Sequence, residues 1–155
     1  MKVTIFATGV KVDGKGAIGL VLKDETGRTI RRLGKAFDLA EAQYSELAGP
    51  RSEVALGYRA ILHGLWRAKR LGARQVEVFC DITEVVNQLT GMVAVPPEQI
   101  GAYLQVKALL NAFRRSSVQP IPPGQNVEVA STANAAVSAN PSGVDDLPLW
   151  ASTSR

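Results

Sequence analysis

Cysteine and histidine are nearly absent from this chain: Cys80 and His63 are the single residues of their types. One cysteine excludes an internal disulfide and any multi-cysteine zinc site, and one histidine excludes a histidine-built metal cluster. Aromatic residues are scarce, at 6%. No apolar run approaches the roughly 18–20 residues that span a bilayer, so no membrane insertion is expected. The opening Met1-Lys2-Val3-Thr4-Ile5-Phe6 lacks the apolar stretch and small-residue cleavage site of a signal peptide, and the expected location is cytoplasmic. Core-forming residues are plentiful. Of 155 residues, 46% are hydrophobic and 21% charged, which suits one globular domain and excludes wholesale disorder.

The net charge of +4 is unevenly spread. Up to Arg74 there are fourteen Lys and Arg against seven Asp and Glu; beyond it there are four against seven. A basic half implies an acidic partner, with nucleic acid the leading class, set against a charged surface that serves solubility alone.

Val3 to Ala7 and Ala17 to Leu22 read as strands, joined through Gly9–Gly16 by a loop or an extended hairpin connection. Asp24-Glu25-Thr26-Gly27 is a turn, after which Arg28 to Phe37 returns as a third strand antiparallel to the second. Leu39 to Leu47 is a short helix or a loop. A strong helix follows, capped by Ser52, with Val54, Tyr58, Ile61, Leu62 and Leu65 at helical spacing and Gly72 as its stop. Its other face carries Arg59, His63, Arg67 and Arg70, all expected in solvent. Gln75 to Cys80 is a fourth strand, Glu84 to Leu89 a short helix, and Pro96-Pro97 opens a further helix striped with Val106, Leu109, Leu110 and Phe113. Val118 to Ile121 is a last strand, and a small-residue segment runs from Val129 to Val137. From Ser138 the composition of Ser, Asn, Pro, Gly and Asp predicts a disordered tail, so residues 1–137 form the domain and 138–155 the tail. Hairpins mixed with crossovers imply a mixed sheet covered by helices.

Three segments carry a resemblance in order and without gaps: Tyr58-Arg59-Ala60-Ile61-Leu62-His63-Gly64-Leu65, Leu71-Gly72-Ala73-Arg74-Gln75-Val76-Glu77-Val78, and Asp81-Ile82-Thr83-Glu84-Val85-Val86-Asn87-Gln88-Leu89. They resemble the central helix, the fourth strand and the G-D-S-x-x-V-V-N-Q motif of the ribonuclease H family, in its compact reverse-transcriptase-like branch. Lys2 to Gly9 resembles the family's first strand, and Pro122 to Ala130 its V-P-R-E-x-N-x-x-A-D motif. The resemblance covers residues 1–137. It implies an α/β ribonuclease H-like fold, a five-stranded mixed sheet with helices on both faces.

It also implies an activity, cleavage of the RNA strand of RNA–DNA hybrids by four carboxylates holding two divalent ions that activate water and stabilise the leaving oxygen. Magnesium suits such oxygen ligands, and without metal four clustered acids repel one another. Residue by residue, the first-strand aspartate falls at Thr8, the central-helix glutamate at Gly57, the fourth-strand aspartate at Asp81 and the last aspartate at Ala130. Only Asp81 is an acid, and it serves either as a remnant metal-holding carboxylate or as the cap of the following helix. The family's glycine- and asparagine-rich loop after the first strand is replaced by Val10 to Lys15. Glu53 is the nearest substitute acid, one turn before Gly57, but a turn of about 5.4 Å is too far without a shift of the helix. Asp13 and Glu128 are close in sequence to lost positions but point to no better geometry.

The expectation is therefore a non-catalytic ribonuclease H-like protein that binds nucleic acid or acts as a scaffold. An active ribonuclease with a rearranged carboxylate set and a structural subunit of a larger assembly are the alternatives. No cofactor is expected; Mg2+ or Mn2+ enters only if the active alternative holds. RNA–DNA hybrid or RNA is one class of partner, and a protein partner or a second copy is the other. Arg59, Trp66, Arg67, Lys69, Arg70 and Arg74 are the candidate nucleic-acid contacts, by phosphate pairing and, at Trp66, by stacking on a base or packing beneath the sheet. Cys80 reads as a buried apolar residue. Trp150, within Asp145-Asp146-Leu147-Pro148-Leu149-Trp150, reads as an acidic-aromatic docking segment or a tail without a partner.

Overall fold

The computed structural model describes residues 1–41, 44, 47 and 51–139. Among them the order is β1 (Lys2–Val12), β2 (Lys15–Lys23), β3 (Thr29–Asp38), α1 (Ser52–Arg70), β4 (Gln75–Cys80), α2 (Thr83–Leu89), a single 3-10 turn at Pro97–Gln99, α3 (Ile100–Asn111), β5 (Arg115–Pro120), a second 3-10 turn at Pro123–Gln125, and α4 (Val127–Ala139). The sheet runs β3-β2-β1-β4-β5, with β1–β2 and β2–β3 antiparallel and β1–β4 and β4–β5 parallel. The five-stranded mixed sheet is the expected one.

Local chemistry explains the first hairpin. β1 pairs with β2 as far as Val12 and Lys15, leaving Asp13 and Gly14 as a two-residue turn, both with positive φ (49° and 76°). Such turns match the twist of the strands, and Asp-Gly supplies the left-handed conformations they need. The segment from Gly9 to Gly16 is therefore a continuous hairpin, not a loop.

Alternation along the strands builds two cores. Val3, Ile5, Leu20, Leu22, Phe37, Val76 and Val78 face α1 and join Leu56, Ile61, Leu62 and Leu65 in the main one. Burying each such side chain contributes about 1.5–3 kcal/mol. The opposite face is narrower, with Ala17, Ala36 and Ala133 at its centre. Small residues let α4 lie almost on the backbone: a Cβ at Gly34 would stand 2.6 Å from the Thr132 carbonyl oxygen. Glu128 ties the start of α4 to the strands through ion pairs with Arg32 and with Lys23, the latter at 3.8 Å.

Several boundaries differ from expectation. Ser52 is the first residue of α1 and buried; Arg51 holds the cap position, with no side-chain cap bond. β5 begins at Arg115, three residues earlier than its apolar content suggests, because its parallel register with β4 runs from Gln75 onward. α4 continues to Ala139, past the expected domain edge at 137. Residues 42, 43, 45 and 46 of the Leu39–Leu47 segment and residues 140–155, with Trp150, lie outside the described residues.

Candidate functional site

The parallel register of β1 and β4 pairs Ala7 with Cys80, so Thr8 and Asp81 come next to each other where β4 ends. Thr8 is buried, 3% exposed, and its Oγ1 donates to Asp81 Oδ1 at 2.7 Å. Asp81 does not cap α2: that position belongs to Ile82, and no side-chain cap bond is made. Its carboxylate is instead bound to the strand beside it. A hydroxyl thus stands where the resemblance implies a second carboxylate, and it donates a hydrogen bond to Asp81.

Gly57 reaches the same place from α1. A Cβ there would lie 2.8 Å from Ile82 Cδ1 and 3.1 Å from Val85 Cγ2. Those apolar groups occupy the volume through which a longer side chain would pass. Gly9 lets the helix and strand meet, its virtual Cβ being 2.6 Å from Leu56 Cβ. From the far side, buried Asn126 donates its Nδ2 to the Ala7 carbonyl oxygen at 3.3 Å and its own carbonyl accepts from the Ala130 N–H at 3.0 Å. Glu53 is exposed on the first turn of α1. Asp13 sits at the hairpin tip, and Glu128 is paired with Arg32 and Lys23. Among the described residues no three His, Cys, Asp or Glu side chains form a group that could hold a metal. One carboxylate, one hydroxyl and a wall of isoleucine and valine do not fit the paired-ion chemistry that the resemblance implies, since divalent ions need several oxygen ligands.

Behind this wall the motif residues have structural work. Tyr58 donates its hydroxyl to Gln88 Oε1 at 2.5 Å, and Gln88 Nε2 donates to Gln99 Oε1 at 2.6 Å and to Glu84 Oε2 at 3.1 Å. Glu84 also meets Arg51 at 2.6 Å. Burial, and then the neighbouring Tyr103 and Glu84, push the Tyr58 hydroxyl well above its usual range, so it stays a proton donor. Burial likewise pushes the Cys80 thiol up to about 12. It is a neutral, packed side chain.

The basic candidates divide. Arg59 is only 4% exposed and His63 fully buried, against the expectation of solvent contact. The helix lies chiefly against β1 and β2, and the Arg59 guanidinium lies 5.8 Å from the ring centre of Phe37 in β3. Arg59 is therefore not available to a phosphate. Trp66 is half-buried, with the guanidinium carbons of Arg67 and Arg70 at 5.6 and 5.0 Å from its ring centre. Arg67, Arg70 and Leu71 line a cleft of about 450 Å³ with Ile30 and Arg31 of β3. Lys69 and Arg74 are exposed but do not line it. Arg31 is the residue that sequence reasoning missed. The run Arg28 to Arg32 reads only as a strand, and nothing local says that its Arg31 end lies against the last turn of α1.

A family model described as reverse transcriptase-like matches residues 6–136. The chain belongs to this reverse-transcriptase-like branch of the ribonuclease H family. It is 30% identical over 140 residues to the bifunctional protein Rv2228c of Mycobacterium tuberculosis, covering 90% of this chain but 36% of that protein, and so spans about a third of its length. The solved N-terminal RNase H domain of the same mycobacterial protein is 27% identical, with a TM-score of 0.76 and coverage of 89% of this chain and 94% of that one. RNase H1 from the archaeon Halobacterium salinarum is similar in fold, at a TM-score of 0.76, 22% identity and coverage of 89% and 98%. So is LC11-RNase H1, solved in complex with an RNA/DNA hybrid, at a TM-score of 0.73, 19% identity and coverage of 88% and 96%.

Proposed function

We propose that this chain is a nucleic-acid-binding ribonuclease H-like domain that does not hydrolyse its ligand. One observation carries the reading: the Thr8 hydroxyl donates to Asp81 at the position where the resemblance requires two carboxylates to share a cation. The apolar closure over Gly57 and the methyl group of Ala130 support it from the other two elements. Binding needs none of the lost groups. It needs positive charge on a rigid frame, and the first half of the chain holds twice as many basic as acidic residues. Nucleic acid as the partner class is also supported by the fold neighbour solved with an RNA/DNA hybrid.

The test is cleavage of an RNA–DNA hybrid in magnesium or manganese beside a binding titration with the same hybrid. Binding without cleavage above background is expected. Turnover that disappears in Asp81→Asn would overturn the reading in favour of a rearranged active ribonuclease. No binding to hybrid, duplex RNA or single strands would overturn it in favour of a protein scaffold.

A further inference from the structure

We infer that the half of the sheet left uncovered by α4 is a platform for single-stranded nucleic acid, with Phe6 and Phe79 stacking on bases and Lys2, Arg114 and Arg115 holding the backbone; this rests on the nucleic-acid-binding reading above. α4 packs on β1, β2 and β3. Over β4 and β5, on the side away from α1, no helix is packed among the described residues. Of the chain's four phenylalanines, Phe37 and Phe113 lie in the main core. Phe6 and Phe79 belong to neither core and are part-exposed.

Register brings the two rings together. Phe6 of β1 pairs with Phe79 of β4, and each alternates with residues that face α1, so both stand on the other side of the sheet. The rings are stacked, with centres 5.3 Å apart and planes 14° from parallel. On the β2 side the Lys23 ammonium lies 5.4 Å from the Phe6 ring centre. The row of Lys23, Phe6 and Phe79 thus crosses three strands, and its next place is over β5, where Gln119 is in register with Phe79. The Gln119 side chain donates to Glu77 at 3.0 Å, two residues nearer the start of the strands. An unpaired base over β5 would continue the stack. Sheets with aromatic side chains on neighbouring strands hold single strands in this way, whereas the bases of a duplex have no free face to offer.

Charge lies at the end of the same face. Lys2, four residues before Phe6 and so about 13 Å along β1, lines a cleft of about 560 Å³ with Arg114, Arg115 and Glu77. Glu77 is the acid of that described lining, and it pairs with Lys2 at 3.6 Å. The two guanidinium groups suit a phosphodiester, because each planar fork donates parallel hydrogen bonds to two oxygens. A cross-strand aromatic pair also steadies a sheet, which accounts for two rings in register. It does not account for their place. A chain poor in aromatic residues gives two of them to a face that no described helix covers, with two arginines at its end. Phe6 lies two residues before Thr8 and Phe79 two before Asp81, so the platform adjoins the Asp81 carboxylate and needs no cation from it.

The experiment is a salt series of binding titrations with a labelled pyrimidine single strand, an all-abasic strand of the same length and a labelled RNA–DNA hybrid. Stacking of one base on an aromatic side chain is worth about fivefold to 150-fold in affinity. Phe79→Ala is expected to weaken the single strand by about fivefold or more at every salt concentration, with the salt slope and the affinity for hybrid unchanged. Arg114→Gln with Arg115→Gln is expected to flatten the single-strand slope of log K against log salt by up to about 1.4, at about 0.7 for each phosphate. The parent is expected to bind the abasic strand about fivefold or more weakly than the strand with bases, a comparison that needs no variant to fold. Cooperative melting establishes that the variants fold. A folded Phe79→Ala with the parent's affinity, or an abasic strand bound as tightly as one with bases, overturns the platform and leaves the binding reading standing. Equal losses on hybrid and single strand overturn it as well, because paired bases have no free face. An unchanged slope in the arginine variant overturns the backbone contacts. If the parent binds neither ligand, the reading fails and the platform with it; a parent that is then dimeric, with Phe79→Ala monomeric, would give this face to a second copy.

Discussion

The two ends of α1 have opposite character. At the first, around Gly57, a hydroxyl, an isoleucine and a valine surround the segment at Asp81, and that acid is hydrogen-bonded to Thr8. At the other, Arg67 and Arg70 meet Arg31 across a cleft that Ile30 and Leu71 also line. Both ends hang on the same buried helix and the same sheet, so the fold does not decide between them. At the first end Asp81 is a single carboxylate held by the Thr8 hydroxyl, with Ile82 and Val85 packed beside Gly57. The second end gathers three guanidinium groups on one cleft. The chemistry of each end is thus set by its own side chains on one ribonuclease H frame, not by the fold.

The comparison breaks most directly by forcing an acid back into the closed end. Gly57→Glu must push aside Ile82 and Val85 and bring a carboxylate near Asp81 with no cation to share. Overpacking costs about 1–3 kcal/mol and a poorly solvated charge adds to it, so a loss of about 3 kcal/mol or more in urea denaturation is expected. Adding Ile82→Ala removes the nearest obstruction and should return about 1 kcal/mol of that loss as coupling in a double-mutant cycle. Strict additivity would mean that the site is open and the comparison mistaken.

Thr8→Asp should have the next largest effect, about 2 kcal/mol, because it replaces the hydroxyl donor by a second carboxylate. Two facing carboxyls raise the pKa of one of them, so the native variant binds more protons than its unfolded state. Stability of the variant therefore falls as pH rises through that raised value and recovers below it. Millimolar magnesium should restore part of the loss in the variant and leave the parent's Tm unchanged, since only an acid pair gives the native state a cation to bind. A magnesium-dependent rise in the parent would show that its own donor set suffices.

Much of this frame was legible beforehand, and the residues that were not have a common reason. The Tyr58–Leu65 block, the fourth strand and the Asp81–Leu89 motif carried the family resemblance, and together with the Lys2–Gly9 and Pro122–Ala130 matches they set Thr8, Gly57 and Ala130 at positions where the resemblance implies acids. The polarity of Arg59 and His63 suggested an outer face, yet thirteen of the nineteen α1 residues are buried, because β1, β2 and α3 pack against the helix on more than one side. Periodicity shows which residues share a face, not which element lies against it. The Thr8–Asp81 bond spans 73 residues and depends on the β1–β4 register; the Arg31 cleft depends on where an edge strand meets a helix end. Neither register is written in a local pattern. The cap expected of Asp81 failed for the same reason, since a partner on another strand holds its carboxylate.

Thiol labelling sharpens the contrast at smaller amplitude. Cys80 is fully buried beside Asp81, with its thiol held neutral up to about 12 by burial. Alkylation at neutral pH should proceed only through opening of the structure, and so far more slowly than in the denatured chain. Gly57→Glu should speed it, and Arg31→Gln with Arg70→Gln should not. Fast labelling of the parent would mean that the closed end opens readily.

The smallest effect belongs to the basic end. Arg31 and Arg70 are exposed, and exposed substitutions away from caps and cores usually fall within about 0.5 kcal/mol of the parent. Two contributions oppose each other in Arg31→Gln with Arg70→Gln. Loss of the Arg70 contact with Trp66 costs about 0.5 kcal/mol at an exposed site, while relief of repulsion from Arg67 returns a similar amount. Only the second depends on salt. The variant should therefore match the parent or slightly exceed it at low ionic strength and fall slightly below it at high ionic strength, where the Debye length shrinks to about 3 Å at 1 M. Urea melts of both proteins at two salt concentrations read this crossover. A variant less stable than the parent at low salt would mean that the arginines serve the fold, and the charge at this end would then need no ligand to account for it.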